Sequence, residues 1–338
     1  MNEAMTTRLS NTFLAVMAKL TSKYSIYLIL LFMLIICSLL SPAFFSAKNL
    51  SNISRQISIT TIISFGMTML IIAGMIDLAA GSVMALAGIL AVATYKATGS
   101  LVIAMLTGIV IGVACNAVSG FIVTRFKTPP FIATLAMMTS ARGAALYYTN
   151  GQNIYQLDQF VIFGQGDILG IPTPVVVMVC IALLTWYLLN DTRFGRHLYA
   201  IGGNEDAARA SGIKINHNKM LAYIISGAFV GLSGVLFMSR VNAGLPNAGI
   251  GFEFDAMTAS IIGGTSFSGG VGTAMGTLVG AFIMGFLNNI MNLLGIQSYL
   301  QQIIKGGIIV IAVAYDIMSK NKKTASQLGN IEERGKEA

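Results

Sequence analysis

Residues 101–124 read LVIAMLTGIVIGVACNAVSGFIVT, a run without one charged side chain, and Arg125 and Lys127 follow it at once. Crossing a hydrocarbon layer about 30 Å thick takes a helix of about 20 predominantly apolar residues. The run has that length, and stretches of the same kind recur on both sides of it. Candidate spans fall at 24–45, 57–76, 80–97, 101–124, 131–149, 172–190, 219–239, 254–264, 271–294 and 297–318. Gly and polar residues interrupt the spans at 57–76 and 254–264 or their ends. Of the 338 residues 55% are hydrophobic and 10% charged, whereas soluble domains carry about 25% charged residues. No water-soluble core of this size needs so much apolar sequence, so lipid is the solvent for much of the surface. The expectation is an all-α polytopic membrane protein of about ten transmembrane helices. It has a tail over 1–23, one membrane domain over 24–318 and a charged tail over 319–338. No soluble domain fits between them.

The basic residues set the orientation. With the N-terminus inside, the inner segments hold Arg8, Lys19 and Lys23, then Arg125 and Lys127. They also hold Arg193, Arg196, Arg209, Lys214 and Lys219, and finally Lys320, Lys322, Lys323, Arg334 and Lys336. The outer segments hold Lys48, Arg55, Lys96 and Arg240. Fifteen against four is the positive-inside bias of a membrane protein with both termini cytoplasmic. The net charge of +8 is thereby explained by topology rather than by a nucleic-acid surface. The apolar run from Tyr24 to Leu40 is too long for a cleaved signal and lacks a small-residue cleavage site, so it is expected to stay as the first span. Cys37, Cys115 and Cys180 all lie inside apolar runs, odd in number and matching no metal spacing, and are expected to be small buried hydrophobes.

The longest polar segment between spans, 191–218, is the inner loop. Within it stands Gly202-Gly-Asn-Glu-Asp-Ala-Ala-Arg-Ala-Ser-Gly212. Asn204 is a good N-cap, Glu205 and Asp206 fall in a first turn, where the helix dipole favours acids, and Ala207 and Ala208 favour helix. Gly212 can supply a left-handed stop. The pattern predicts a helix of about two turns, which is too short to be stable alone in water. It is either a connector lying on the membrane surface or a coupling helix seated in a cytoplasmic partner.

Asp77 sits between two apolar runs, in Gly74-Met-Ile-Asp-Leu-Ala-Ala-Gly-Ser82. A carboxylate at that place is costly and by default functional. One reading makes it the cap of the third span, since a Gly-containing break followed by an acid and small residues resembles a capped helix start. The other makes it a proton or substrate site. Arg142 and Lys305 are the basic residues deep in spans. Asp255 is a candidate partner for Arg142, and Asp77 or a carbonyl for Lys305. Asn116, Asn288, Asn289, Gln301 and Gln302 put amides in or near spans, where a pathway for a polar solute and interhelical hydrogen bonds need them equally. The tentative translocation pathway is therefore Asp77, Asn116, Arg142, Asp255, Asn288 and Asn289. Gly108/Gly112, Gly227/Gly231 and Gly276/Gly280 are Gly-x-x-x-Gly pairs that permit close helix packing. Two internal echoes occur: 74–81 resembles 263–270, and Gly112/Asn116 resembles Gly285/Asn289.

No G-x-x-x-x-G-K-[ST] phosphate loop occurs, so ATP is not expected to bind here by that route. His197 and His217 are the only histidines, both in the inner loop. With Asp191, Glu205 and Asp206 they form no recognisable catalytic spacing. The expectation is a transporter subunit without catalytic residues or metal, not an enzyme.

Five segments carry a family likeness: 74–82, Pro130-Phe-Ile-Ala-Thr-Leu135, 195–213, 254–272, and Gly285-Phe-Leu-Asn-Asn289 with Leu293-Leu-Gly295. Together they resemble permeases of the ribose, galactose and xylose branch of bacterial ABC importers, in the expected order over roughly 40–316. The first motif departs from the family's usual Ser-Val after the Leu, with Ala79-Ala80 here, which removes a hydroxyl. The resemblance implies a fold like the vitamin B12 importer permease and a multi-pass place in the bacterial inner membrane. It implies a pore of two permeases, identical or paralogous. A periplasmic sugar-binding protein docks outside, and cytoplasmic ATP-binding subunits, carrying ATP and Mg, dock inside. The matching loop, Gly202, Gly203, Asn204, Glu205, Asp206, Ala207, Ala208, Arg209 and Gly212, lies at that inner contact. Two alternatives stand beside an ATP-driven monosaccharide importer. One is a proton-coupled sugar transporter using Asp77. The other is a permease of the same design for another small polar solute, such as a branched-chain amino acid.

Overall fold

The computed structural model describes residues 25–337, with side chains as far as Met318 apart from residue 315. The N-terminal tail over 1–23, with Arg8, Lys19 and Lys23, and Tyr24 at the start of the first span lie outside the described residues. The helices are α1 (Ser25–Leu40), α2 (Ala47–Ile72), α3 (Ala80–Thr98), α4 (Leu101–Phe126), α5 (Pro130–Thr149) and the one-turn α6 (Ile162–Gln165). They continue with α7 (Thr173–Asn190), α8 (Arg193–Gly203), α9 (Glu205–Ala210), α10 (Ile215–Val241), α11 (Phe252–Ile262), α12 (Ala274–Leu293) and α13 (Ser298–Glu337). Four two-residue strands make two small antiparallel pairs: β1 (Ile154–Tyr155) with β4 (Ala243–Gly244), and β2 (Asp167–Ile168) with β3 (Ile171–Pro172). No closed sheet forms. Among the described residues seven helices are long and apolar enough to cross a membrane: α2, α3, α4, α7, α10, α12 and the 298–318 part of α13. The chain is an all-α, multi-pass membrane protein.

The remaining expected spans correspond to α1, α5 and α11. Helix α11 has 11 residues, about 16 Å at 1.5 Å per residue, half of what a crossing needs. It is continued by the irregular segment 243–251. Such backbone is tolerated at membrane depth only where protein buries and satisfies it. Arg142 on α5 supplies donors, giving hydrogen bonds to the carbonyls of Pro246 and Ala248.

Helix α2 begins at Ala47 and ends at Ile72, not at 57 and 76. Asn49, Ser51, Asn52, Ser54 and Arg55 break the apolar pattern without breaking the helix. Ser46 caps it by accepting from the Asn49 N–H. Asn49 pairs with Asn289, and Arg55 reaches the carbonyl of Gly164 and the carboxylate of Asp167. From Ile57 to Ile72 every residue of α2 is buried, against α7, α10, α11 and α12. The helix is the centre of the molecule.

Two of the three Gly-x-x-x-Gly pairs meet each other. Gly108 and Gly112 of α4 lie against Gly231 and Gly227 of α10, so closely that a Cβ on Gly112, Gly227 or Gly231 would fall on the facing carbonyl oxygen. In lipid, helix association rests on close packing of this kind, since apolar burial gives no preference for a helix neighbour over a lipid tail. Gly276 and Gly280 of α12 meet the backbone of α11 in the same way, at Gly263 and Ala259. The outer helices α4 and α7 show most of their surface, as membrane-facing helices do.

Of the echo between 74–81 and 263–270 only the turn ending each helix is shared, and one residue out of the sequence register, Gly74 matching Gly264. After α2, the N–H groups of Gly74 and Met75 return to the carbonyls of Ile71 and Leu70. After α11, those of Gly264 and Thr265 return to Ile261 and Ser260. The second echo is not structural: Asn116 bonds Asp77, whereas Asn289 bonds Asn49.

Candidate functional site

The inner loop is more helical than expected. Residues 193–203 form α8, capped by Thr192, whose hydroxyl accepts from the Gly195 N–H. Gly195, Leu198 and Ile201 recur at helical spacing and are buried, while Arg193 and Arg196 face out. This amphipathic turn pattern over 194–201 was the signal that the sequence offered and that the acid- and Ala-rich stretch after it outweighed. The expected short helix is α9. Asn204 caps it by accepting from the Ala207 N–H at 2.9 Å, and Gly212 takes φ +81° just beyond its end.

Helix α9 is held from three directions. Ala208 is buried against Ile201 and Ile215. Glu205 accepts from Lys219 of α10 at 2.6 Å and from Arg209 at 2.9 Å. The Lys219 hydrogen bond is the main cause that holds the Glu205 carboxyl below its ordinary value; partial burial opposes it, and the charges of Lys219 and Arg209 add to the lowering. Glu205 therefore fastens α9 to α10. The outward face is left to Asp206, Ala207, Ala210 and Ser211, a small-residue ridge between one acid and Arg209 that a groove can enclose.

Immediately before α9 the chain touches the core of the membrane domain. A Cβ on Gly202 would fall on the carbonyl oxygen of Ile72, the last residue of α2. The same carbonyl accepts the N–H of Gly270 at 2.9 Å. Tyr199 of α8 donates to the carbonyl of Gly272 at 2.8 Å. From the other side, Asp316 of α13 accepts from the Ser266 hydroxyl and the Phe267 N–H. The end of α8, the end of α2, the 263–273 connection and α13 thus meet at one point. By contrast, a Cβ on Gly203 would meet nothing.

The six residues of the tentative pathway do not converge. Asp77 is buried: one carboxylate oxygen accepts from the Ala79 N–H at 2.8 Å and the other from Asn116 Nδ2 at 2.9 Å. It satisfies the backbone just before α3 rather than an N–H within it. Tyr223 of α10 closes the same spot by donating to the carbonyl of Ile76. Lys305 does not reach Asp77. It binds Asp255 at 2.9 Å, and Asn288 Nδ2 donates to the same oxygen at 3.3 Å. Arg142 does not pair with Asp255: its Nη1 donates to the carbonyls of Pro246 and Ala248, and Asp255 pairs with Lys305. Asn289 and Asn49 exchange two amide hydrogen bonds between α12 and α2.

Other polar groups carried no sequence signal. The hydroxyls of Thr68, Ser260 and Thr277 join α2, α11 and α12 in a buried cluster. Glu253 accepts from the Gly251 N–H at the start of α11. Between α11 and α13 lies a cavity of about 540 Å³ that takes in Asp255, Lys305 and Gln302. Among the described residues no cluster of His, Cys, Asp and Glu could hold a metal ion.

Residues 49–313 match the family described as branched-chain amino acid transport system / permease component. The chain is 44% identical over 299 residues to the ribose import permease protein RbsC of Escherichia coli strain K12, covering 87% of this chain and 92% of that protein. It is 43% identical to the protein of the same name from Bacillus subtilis strain 168, over 86% and 91% of the two chains. With the D-allose transport system permease protein AlsC of Escherichia coli the identity is 37%, over 87% and 91%. No solved structure matches the chain.

Proposed function

Because the chain belongs to the branched-chain amino acid transport system / permease component family, we propose that it is the permease subunit of an ATP-driven monosaccharide importer, carrying ribose or a sugar close to it. The relatives named for ribose and allose support the sugar. Hydrolysis belongs to a separate ATP-binding subunit, which brings ATP and Mg; this chain contributes no catalytic residue. A second permease copy or paralogue completes the pore, and a periplasmic binding protein delivers the sugar. The chain crosses the bacterial inner membrane ten times in a fold like the vitamin B12 importer permease, with α11 and 243–251 as one crossing and both termini cytoplasmic.

The observation that carries the coupling mechanism is the seat of α9. It stands outside the spans, offers a small-residue ridge, and is fastened behind by Ala208 and by Glu205–Lys219. A partner that grips the ridge moves two things at once. Through Lys219 it moves α10, which packs on α2, α3 and α4. Through Gly202 it moves the end of α2 and the 263–273 connection, and so the two helix breaks. Access to the pathway alternates as those breaks shift.

The rival in which Asp77 carries protons is weakened by its surroundings, since both carboxylate oxygens already accept from the protein. The family description keeps a branched-chain amino acid as the alternative cargo.

Purification in mild detergent with genetically neighbouring proteins tests the reading. An ATP-binding subunit is expected to co-purify, with hydrolysis that rises when sugar-loaded binding protein is added. A stable chain that retains no ATPase in any detergent contradicts it.

A further inference from the structure

The cavity between α11 and α13 has a composition that helix packing does not need. Lys305 lies seven residues into α13, about 10 Å below its start at 1.5 Å per residue. Tyr299, Ile303 and Val310 on the same helix are exposed and apolar, as lipid or a protein neighbour requires. An ammonium group at that depth belongs on a surface that water or polar solute reaches. Its partner Asp255 is mostly buried and keeps one carboxylate oxygen free of hydrogen bonds among the described residues; both bonds it accepts fall on Oδ2. Behind the pair, the side-chain amide oxygen Oδ1 of Asn288, a residue 8% exposed, is buried without a partner among the described residues. Gln302 and Ser298 add exposed polar groups to the lining, and the exposed ring of Phe254 forms a wall.

We infer that this cavity is a sugar-contact site on the translocation pathway, at which Asp255 and Lys305 recognise a pair of neighbouring hydroxyl groups. The inference rests on the sugar-importer reading given above. An ion pair with free valences on both members suits a vicinal diol: one hydroxyl donates to Asp255 Oδ1 while its neighbour accepts from Lys305 Nζ. A desolvated hydroxyl must be compensated in this way. Phe254 offers an apolar face to the C–H side of the ring. The cavity volume falls within the range of about 300–1,000 Å³ usual for small-molecule sites.

The test uses the full transporter in proteoliposomes with ribose. Lys305→Met and Asp255→Asn are each expected to lower ATP-driven uptake at least tenfold, while hydrolysis stimulated by the binding protein stays within twofold. Uptake unchanged in both variants overturns the inference. A second measurement holds if those variants insert poorly. Ser298→Cys and Gln302→Cys, in a background with Cys37, Cys115 and Cys180 replaced, are labelled with a membrane-impermeant thiol reagent. Labelling slowed by ribose, and not by a ring ether without hydroxyl groups, supports the site. Labelling by lipid-soluble reagents alone, or labelling indifferent to ribose, overturns it. If the unaltered complex shows no ATP-driven uptake, the importer reading itself fails, and this inference with it.

Discussion

Asp77 shows how a carboxylate between apolar runs can have both oxygens satisfied by the protein itself. A charge between two apolar runs is expensive unless something satisfies it. Here the Ala79 N–H and the Asn116 amide do so, at a place where α2 has ended and α3 has not begun. Asp77→Asn is expected to keep ATP-driven uptake within about threefold. The amide can still accept from Ala79, and Asn116 can turn its unpartnered oxygen to meet the new NH₂ group. Asp77→Ala is expected to lower thermal stability, by about 1–3 kcal/mol for each donor left unpaired. Uptake abolished in Asp77→Asn and restored by no change of driving force would favour the proton-carrier rival. Asp77 does not cap α3 as its neighbours in sequence suggested: it accepts from the Ala79 N–H just before the helix, and its second partner, Asn116, lies 39 residues away. The partners of Arg142 and Lys305 were not legible, because they lie 104 and 50 residues away respectively, and a lone cation in an apolar run says only that a partner exists.

Among the elements, α8 and α9 carry the coupling argument. Gly202→Ala places a methyl group on the carbonyl of Ile72, where the backbone of Gly270 is already bonded. Overpacking of this sort costs typically about 1–3 kcal/mol, so a lower melting temperature and weaker stimulation of the partner ATPase are expected. Gly203→Ala, with open space around the new atom, is expected to leave the melting temperature unchanged. Equal effects of the two would remove the contact from the mechanism. The fastening of α9 to α10 is pH-dependent. Glu205 has its folded value depressed, chiefly by the Lys219 bond. Its contribution is complete above the ordinary glutamate range and is lost as pH falls through the depressed folded value. Protection of the amides of 207–211, taken relative to their intrinsic exchange rates at each pH, is expected to be high at neutral pH and to fall on acidification below that range. In Lys219→Met the protection is weaker at neutral pH and its acid step is reduced. An unaltered step in Lys219→Met contradicts the latch. Helix α9 could be read from its cap and composition. Helix α8 left only the spacing of Gly195, Leu198 and Ile201 as its mark, and the true start of α2 left none, since a polar run there hides a helix whose side chains distant groups satisfy: Arg55 by Asp167 and Gly164, Asn49 by Asn289.

At the scale of the molecule, membrane class followed from composition, with 10% charged residues, while the uneven spread of Lys and Arg is what the proposed orientation rests on. The Gly-x-x-x-Gly pairs announced close packing without saying which helices meet, and only the fold joins Gly108/Gly112 to Gly231/Gly227. The half-length of α11 was visible as an interrupted span, but its completion by irregular backbone, satisfied by Arg142, was not. The central claim is that sugar movement through this assembly is driven by a partner's ATP hydrolysis transmitted through α9. The most direct measurement is uptake of labelled ribose into proteoliposomes holding the permease with its ATP-binding subunit, binding protein outside and ATP inside, with and without a protonophore. The account predicts uptake that requires both ATP and the binding protein and is indifferent to the protonophore. Uptake by the permease alone, driven by a pH gradient and abolished by the protonophore, would contradict it.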